Sequence, residues 1–246
     1  MKLLFTALSL VLGVYVALAQ CGSSAATTVS PTYTPSSTLS FTGNNLNRVF
    51  ANSSSNNAYQ SGLASYQNVQ GSAFLNEEPV KGTLVLNDDS HIEGVPLLVD
   101  LYTNQLITKK DNGEMIALDG RYLKEVRILH DGEEVILKKS DRNKSNRFYQ
   151  VLYEDGDMIF FKDNYVTLRE ASNNGYSKSN ATFTKRNSYF IKYGDNQIAK
   201  VKLKKKDIFP LIPDSELYAM QEYAREKGLK LNNELNFIAF FEGGRE

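Results

Sequence analysis

The fold is decided by a pattern that recurs from Gly82 to Leu203 and is plainest in YLKEVRILHDGEEVILK, residues 122–138. Two apolar runs there flank Asp131-Gly132, a pair that tolerates the positive φ angles of a tight hairpin turn. Runs of this kind on both sides of such a pair predict two antiparallel strands joined by a short turn. Because the arrangement recurs along the whole stretch, the sequence predicts a meander of antiparallel strands.

Other groups of turn residues separate the remaining apolar runs, and each predicts a chain reversal: Asn87-Asp88-Asp89, Asp111-Asn112-Gly113, Asp155-Gly156-Asp157, Asp163-Asn164 and Gly194-Asp195-Asn196. The strands are predicted at residues 83–86, 95–101, 115–118, 122–129, 134–138, 148–153, 158–161, 165–168, 183–192 and 198–203. A loop rich in Ser and Asn is predicted at 171–180. The pattern does not choose among a curled sheet, a sandwich and a barrel.

After Lys206 the apolar spacing becomes helical. One helix is predicted from the N-cap Asp214 to the left-handed cap Gly228. A second is predicted to start at Asn232 or Asn233, with Leu235, Phe237, Ile238, Phe240 and Phe241 against the sheet. The predicted fold class is therefore mainly β, with two or three short C-terminal helices (207–246) packed on an antiparallel meander.

The first residues have the features of an export signal. A lysine precedes an apolar run at 3–16, which ends in the small-residue pattern Ala17-Leu18-Ala19. Residues 1–19 are therefore predicted to be a signal peptide, and the protein to be extracytoplasmic: periplasmic, outer-membrane-associated or secreted. The run is shorter than the roughly 20 residues of a membrane-spanning helix, so no transmembrane span is predicted in the mature chain.

Cys21, the only cysteine, is a candidate lipid anchor. Leu18-Ala19-Gln20-Cys21 resembles a bacterial lipobox, although Gln20 stands where that pattern has Gly, Ala or Ser. Cleavage after Ala19 fits the alternative of an ordinary signal peptide and predicts a mature chain that begins at Gln20. Membrane contact is expected only if Cys21 is lipidated.

Residues 20–76 are rich in Ser, Thr and Asn, and Arg48 is the only charged residue among them. This composition predicts a low-complexity linker with few core-forming residues. A local turn of structure is expected around Leu46, Val49 and Phe50. The linker is either a spacer or a dispensable leader, and residues 77–246 are predicted to form a single β-rich domain with its helical tail.

The last predicted strand leads into a series of lysines. In a strand, the lysines that alternate with Val201 and Leu203 would share one face. They are a candidate surface for anionic envelope polymers or lipid headgroups, and the alternative is a solvated face that protects an edge. This lysine patch consists of Lys200, Lys202, Lys204, Lys205 and Lys206.

No pattern predicts catalytic, metal-binding or cofactor-binding residues. His91 and His130 lie beside predicted turns without the spacing of a metal site, and no nucleophile elbow is present. The acidic clusters at 88–89, 131–134 and 154–157 match the demands of hairpin turns; two turns brought together would supply a carboxylate pair or calcium ligands. The chain has 28 Lys and Arg against 28 Asp and Glu, so no nucleic-acid partner is predicted.

The runs NEEPVKGTLVLND (residues 76–88) and VPLLVDLY (residues 95–102), followed by Leu106, resemble the opening of uncharacterised exported proteins common in Bacteroidetes. The likeness extends to the C-terminal helical tail. It implies an exported β-rich protein and carries no catalytic motif.

The sequence favours an exported, non-enzymatic envelope or secreted module that binds a protein or a polymer. One alternative is a carrier of a hydrophobic ligand, in which a curled sheet closed by the C-terminal helices encloses a cavity lined by strands such as 158–161. The other is an acid–base hydrolase that uses turn carboxylates.

Overall fold

A computed structural model describes Val49 and residues 66–109, 113–139, 147–173, 178–195 and 198–244. Over these residues the chain is mainly antiparallel β-structure. One open, curled sheet of ten strands is followed by three short helices. Of the architectures that the sequence leaves open, the protein therefore has the curled sheet.

The ten-stranded sheet contains every described strand except β9 and β10, which form a small hairpin inside the predicted loop at 171–180. The sequence also does not predict β3. The strands are β1 Val80–Leu86, β2 His91–Asp100, β3 Gln105–Lys109, β4 Met115–Ala117, β5 Leu123–His130, β6 Glu133–Lys139, β7 Phe148–Asp155, β8 Met158–Arg169, β9 Ser172–Asn173, β10 Lys178–Ser179, β11 Thr182–Tyr193 and β12 Ala199–Val201.

Strands that are neighbours in the ten-stranded sheet are also consecutive among its strands along the chain, except at β5. The order across the sheet is β12-β11-β8-β7-β6-β5-β1-β2-β3-β4, so β5 lies against β1 instead of β4. In this ladder Gly82 lies opposite Ile128. A Cβ atom at Gly82 would lie 2.6 Å from the backbone oxygen of Arg127, so glycine permits the close approach. The predicted meander is confirmed as two meanders that meet at β1 and β5.

The turn residues act as predicted at several hairpins. Asp131 and Gly132, between β5 and β6, have φ angles of 52° and 86°, as a two-residue type I′ turn requires. Positive φ angles also occur at Asp89, between β1 and β2, and at Gly156, between β7 and β8. Other predicted turn residues, Asp111, Asn112 and Asn196, lie outside the described residues.

The predicted chain reversal at Asp163 and Asn164 is wrong. β8 runs through both residues and pairs with β11 over its whole length. Each polar side chain has a partner from β7 or the residue before it: Asp163 Oδ1 lies 3.0 Å from Arg147 Nη2, and the Asn164 amide donates to Gln150 Oε1 at 2.8 Å. The long β8–β11 pairing, in which both polar side chains have partners, thus outweighs the local preference of these residues for a turn.

Contacts between distant strands demonstrate the curl. Val166 N of β8 donates to Leu101 O at the end of β2, at 3.3 Å, and Phe148 N of β7 donates to Asn104 Oδ1 at 3.1 Å. In the sheet order, β2 is separated from β7 and β8 by β1, β5 and β6. The curl encloses a first core cluster that includes Leu84, Val95, Leu97, Leu123, Val126, Ile128, Leu137, Phe148, Val166 and Phe183.

The C-terminal helices dock on the sheet, as predicted. Phe240 and Phe241 are fully buried, and the Phe241 ring lies 5.3 Å from that of Phe160 on β8, centroid to centroid. These residues belong to a second core cluster, which joins the helices to β8, β11 and β12. The helical elements are α1 Lys205–Ile208, a 3-10 turn at Phe209–Leu211, α2 Asp214–Glu226 and α3 Glu234–Gly243.

Some details of the predicted helices differ. The N-cap of α2 is Pro213, and Asp214 lies in the first turn, where its charge still complements the helix dipole. The start of α3 is confirmed, since Asn233 Oδ1 accepts from Asn236 N at 2.9 Å. Leu235, predicted to lie against the sheet, is 74% exposed. It lies two residues before the buried side of α3, a rotation of about 200° around the helix.

Residues 66–76 pack against the sheet, although they belong to the predicted linker. Leu101 N donates to Ala73 O at 2.8 Å, and Ala73 is 2% exposed. Val49, also within the predicted linker, is 1% exposed and belongs to the first core cluster. The folded domain therefore begins before the predicted boundary at residue 77.

Residues 1–48, which include the predicted signal peptide and Cys21, lie outside the described residues. Among the helices that the structure describes, none combines the length and the apolar character needed to cross a membrane.

Candidate functional site

Two tyrosines of β11 fix the C-terminal helices on the sheet. The Tyr189 hydroxyl donates to Glu234 Oε2 at 2.8 Å, and Lys162 Nζ lies 2.8 Å from the same oxygen. Burial and this hydrogen bond raise the pKa of Tyr189. Further along β11, the Tyr193 hydroxyl donates to Glu216 of α2. Each of the two longer helices is thus held through an acidic residue of its first turn.

The end of α2 turns the chain sharply back on itself. Gly228 has a φ angle of 63°, as predicted for a left-handed cap. Leu229 N donates to Ala224 O at 2.8 Å, and Gly228 N donates to Arg225 O at 3.2 Å, the two bonds of a Schellman motif. The motif brings Leu229 back beside Ala224, so a half-buried leucine lies next to a buried alanine.

A groove of about 440 Å³ lies beside this turn, and we call it the cap groove. It is formed by α1, the 3-10 turn, the second half of α2 and the connection to α3. Its apolar residues are Phe209, Ala224, Leu229 and Leu231, and its polar residues are Lys205, Gln221, Glu222 and Arg225. The Phe209 ring stacks on Phe240 with centroids 5.5 Å apart, so the apolar floor is continuous with the second core cluster.

The charges at the rim of the cap groove are unequal. Arg225 pairs with Glu222, three residues earlier on α2. Lys205 is exposed and forms no ion pair with any residue in the described part of the chain. The rim therefore carries an excess of positive charge, and an anion that enters meets a lysine whose charge is not neutralised.

The structure distributes the lysine patch over several elements. β12 ends at Val201, so the predicted strand at 198–203 is too long at its C-terminal end. Only Lys200 belongs to a strand; Lys202 and Lys204 lie in the connection, and the remaining two lysines lie in α1. All of them are exposed, and Lys205 also lines the cap groove.

The other candidate residues remain separate. His91 is exposed at the start of β2, and His130 Nε2 lies 3.5 Å from Asp131 Oδ2 at the β5–β6 turn. The acidic clusters occupy three different hairpin turns, and some of their carboxylates pair with lysines of neighbouring strands, as Asp89 does with Lys124. Across the described ranges, no group of three or more His, Cys, Asp or Glu is placed to hold a metal ion.

The residues expected to line a space for a hydrophobic ligand are packed in the core. Met158 and Phe160 of β8 are fully buried within the second core cluster. Inside the curl, a cavity of about 10 Å³ lies beside Gln105, Gln150 and Asn164. A cavity of that size holds about one water molecule, so it is far too small for a lipid.

Sequence reasoning identified one member of the cap groove, Lys205, and missed its apolar floor. Phe209 lies in the 3-10 turn, whereas Leu229 and Leu231 lie in the α2–α3 connection, and no spacing in the sequence relates these two segments. Comparison with known proteins finds no matching family, no matching curated protein and no matching solved structure.

Proposed function

We propose that this protein is an exported, non-enzymatic module that binds another protein, and that the cap groove receives an acidic segment of that partner. The observation that carries the proposal is the make-up of the groove, in which Phe209, Leu229 and Leu231 lie beneath Lys205 and Arg225. Such a surface complements a segment that presents an apolar side chain next to carboxylates.

The size of the groove supports this assignment. Its volume of about 440 Å³ lies within the range of roughly 300–1,000 Å³ found for binding pockets. A partner would bury an aromatic or aliphatic side chain there, and anchors of this kind contribute most of the binding energy at protein interfaces. Arg225 donates to Glu222 through Nη2 and keeps further N–H donors for a carboxylate of the partner. The lysine patch extends the positive surface beyond the rim.

A protein segment fits the groove better than a polysaccharide does. Sugars stack on exposed aromatic faces, whereas Phe209 is half-buried with its ring against Phe240, and the chain has no Trp. An export pathway is supported by the signal-like residues 1–19 and by the resemblance to exported proteins.

The alternatives have less support from the geometry. A hydrophobic carrier needs an enclosed space, but the residues assigned to line it are packed in the second core cluster. A hydrolase needs two carboxylates at one place, but the acidic clusters lie at different hairpins.

The proposal is tested by titrating the folded protein into a fluorescently labelled peptide, Glu-Glu-Leu-Phe-Glu-Glu, and following fluorescence anisotropy. We expect saturable binding, which weakens by at least about tenfold when Lys205→Glu and Arg225→Glu are combined. The matched control is Lys109→Glu, an exposed lysine at the end of β3, which should leave the affinity unchanged.

Three results would contradict the proposal. Unchanged binding by the double variant would mean that the cap groove is not the binding site. An equal loss of affinity in the control would mean that the peptide binds by non-specific charge attraction. Binding to anionic lipid vesicles without binding to the peptide would replace the protein partner by a lipid.

A further inference from the structure

Within the described residues, one side of β11 is fully paired and the other side is paired only in part. On one side it pairs with β8 at every position from Thr182 to Tyr193. On the other side β12 covers only Tyr189 to Ile191, and the segment before β1 touches the strand at a single bridge, between Gln70 and Thr182. The residues between these two contacts, 184–188, form an interval that we call the β11 gap.

The direction of the backbone groups in the gap follows from the alternation of an antiparallel strand, in which successive residues bond to opposite neighbours. Phe183 N donates away from β8, to Gln70 O at 2.8 Å, and Gly194 N donates toward β8, to Asp157 O at 2.8 Å. The backbone N–H and C=O groups of the odd-numbered residues of β11 therefore point away from β8. Lys185 and Asn187 are the odd-numbered residues of the gap.

The β8 side of the ladder agrees with this assignment. Val166 lies opposite Lys185, and its N–H donates away from β11, to Leu101 O. Lys185, Arg186 and Asn187 are all exposed. Within the described residues, the backbone N–H and C=O groups of Lys185 and Asn187 have no hydrogen-bond partner.

We propose that the β11 gap binds an extended, acidic segment of a partner protein, which adds to the sheet as a further strand. Open strand edges accept peptides in this way, with main-chain hydrogen bonds supplying affinity. The charges specify the partner, because Lys185 and Arg186 lie in the gap and Lys202 and Lys204 follow the end of the neighbouring β12. The only acidic residue that contacts Lys185 within the described part is Glu77, at 3.9 Å.

A second copy of this chain is a poor occupant. Antiparallel self-pairing centred on Arg186 would place the two arginines directly opposite each other, with Lys185 of one copy opposite Asn187 of the other. Like charges at opposing positions destabilise strand pairing. Carboxylates on alternate residues of a partner share one face of the sheet, so they would meet Arg186 or Lys185 according to register. The proposal concerns main-chain pairing at β11 and does not rest on the cap groove.

The test uses hydrogen exchange followed by NMR on the folded protein, with the peptide Glu-Val-Glu-Thr-Glu-Val-Glu as the probe. In the free protein, the amides of Lys185 and Asn187 should exchange much faster than those of Thr184 and Arg186, which bond to β8. Saturating peptide should slow exchange at Lys185 and Asn187 by at least about tenfold. A peptide with Lys in place of Glu should give no protection.

The variant Asn187→Pro removes one outward N–H and keeps the ladder to β8, since proline is tolerated at strand edges where the N–H faces solvent. It should weaken peptide binding by about tenfold or more with an unchanged melting temperature, while the Lys205→Glu and Arg225→Glu double variant binds this peptide normally. Slow exchange at Lys185 and Asn187 in the free protein, or protection confined to the cap groove, would overturn the proposal.

Discussion

Phe240 and Leu235 occupy the same helix in opposite environments. Phe240 is fully buried between Phe209 and Phe241, whereas Leu235 is 74% exposed. Truncating the buried ring removes apolar contacts and leaves a cavity, so Phe240→Ala should lower the free energy of unfolding by about 3 kcal/mol. Leu235→Ala, the control on α3, should change it by less than about 0.5 kcal/mol. Denaturant titration measures both.

This comparison also tests the docking of α3. Equal small effects would mean that the helix does not pack on the sheet in solution. Equal large effects would mean that Leu235 is covered there, in which case the exposed side of α3 is itself an interface.

Glu125 provides a prediction on pH. Burial alone would raise its pKa, but the cations Arg127 and Lys138, whose nitrogens lie 2.5 and 3.4 Å from its oxygens, outweigh burial and lower it. A carboxylate whose pKa is lower in the folded state than in the unfolded state stabilises the folded protein at pH values above the unfolded-state pKa. This contribution is lost as the pH falls through the folded-state pKa.

The variant Glu125→Gln should therefore be less stable than the parent by about 1 kcal/mol at neutral pH, the upper range for a partly exposed ion pair. The difference should shrink as the pH falls below the ordinary pKa of a glutamate and through the lower folded value, because the parent's carboxylate then becomes protonated. Urea titrations at a series of pH values measure it, with Glu93→Gln on the exposed side of β2 as the control. A difference that does not vary with pH would show that packing, not charge, stabilises the site.

At the scale of elements, local sequence predicts hairpins well where a turn must adopt positive φ angles. The turn between β5 and β6 requires positive φ angles, and Asp131 and Gly132 are residue types that adopt them readily. The sequence does not predict β3, because the turn before it uses Asn104, with a φ angle of 54°, in a stretch without glycine. Asp163 and Asn164 have the composition of a turn, but their partners Arg147 and Gln150 lie on or next to β7 and are invisible to local reasoning.

The candidate sites show the same limit. Exposed lysines after β12 could be found from the sequence, because their series is local. The cap groove combines α1 and the 3-10 turn with the second half of α2 and the connection after it. The β11 gap depends on where β12 stops. Both are products of tertiary packing, which the apolar spacing of one segment does not encode.

For the molecule as a whole, segments outside the ten-stranded sheet contribute to both core clusters. The C-terminal helices cover the second core cluster, and residues before β1 contribute to the first. Tyr66 shows how: its hydroxyl donates to Asp100 Oδ2 at 3.1 Å, and its ring lies 5.1 Å from Phe183, edge to face. Burial and the neighbouring Asp100 raise the pKa of Tyr66. Composition alone hides this role, because a few apolar residues dispersed among Ser and Asn are enough to cover a sheet.

A comparison of two truncated chains tests whether this segment belongs to the fold. A chain that begins at Glu77 lacks Val49, Tyr66 and Ala73, all of which contact the first core cluster, whereas a chain that begins at Ser40 retains them. Their loss should remove several kcal/mol of folding stability, and the shorter chain should melt at least about 10 °C lower.

In the longer chain, Ala73→Asp should produce a comparable loss of stability, because it places a carboxylate at a position only 2% exposed. Thermal melting followed by circular dichroism measures all three. If the shorter chain melts within about 2 °C of the longer one, the segment is a dispensable linker, as its composition predicts.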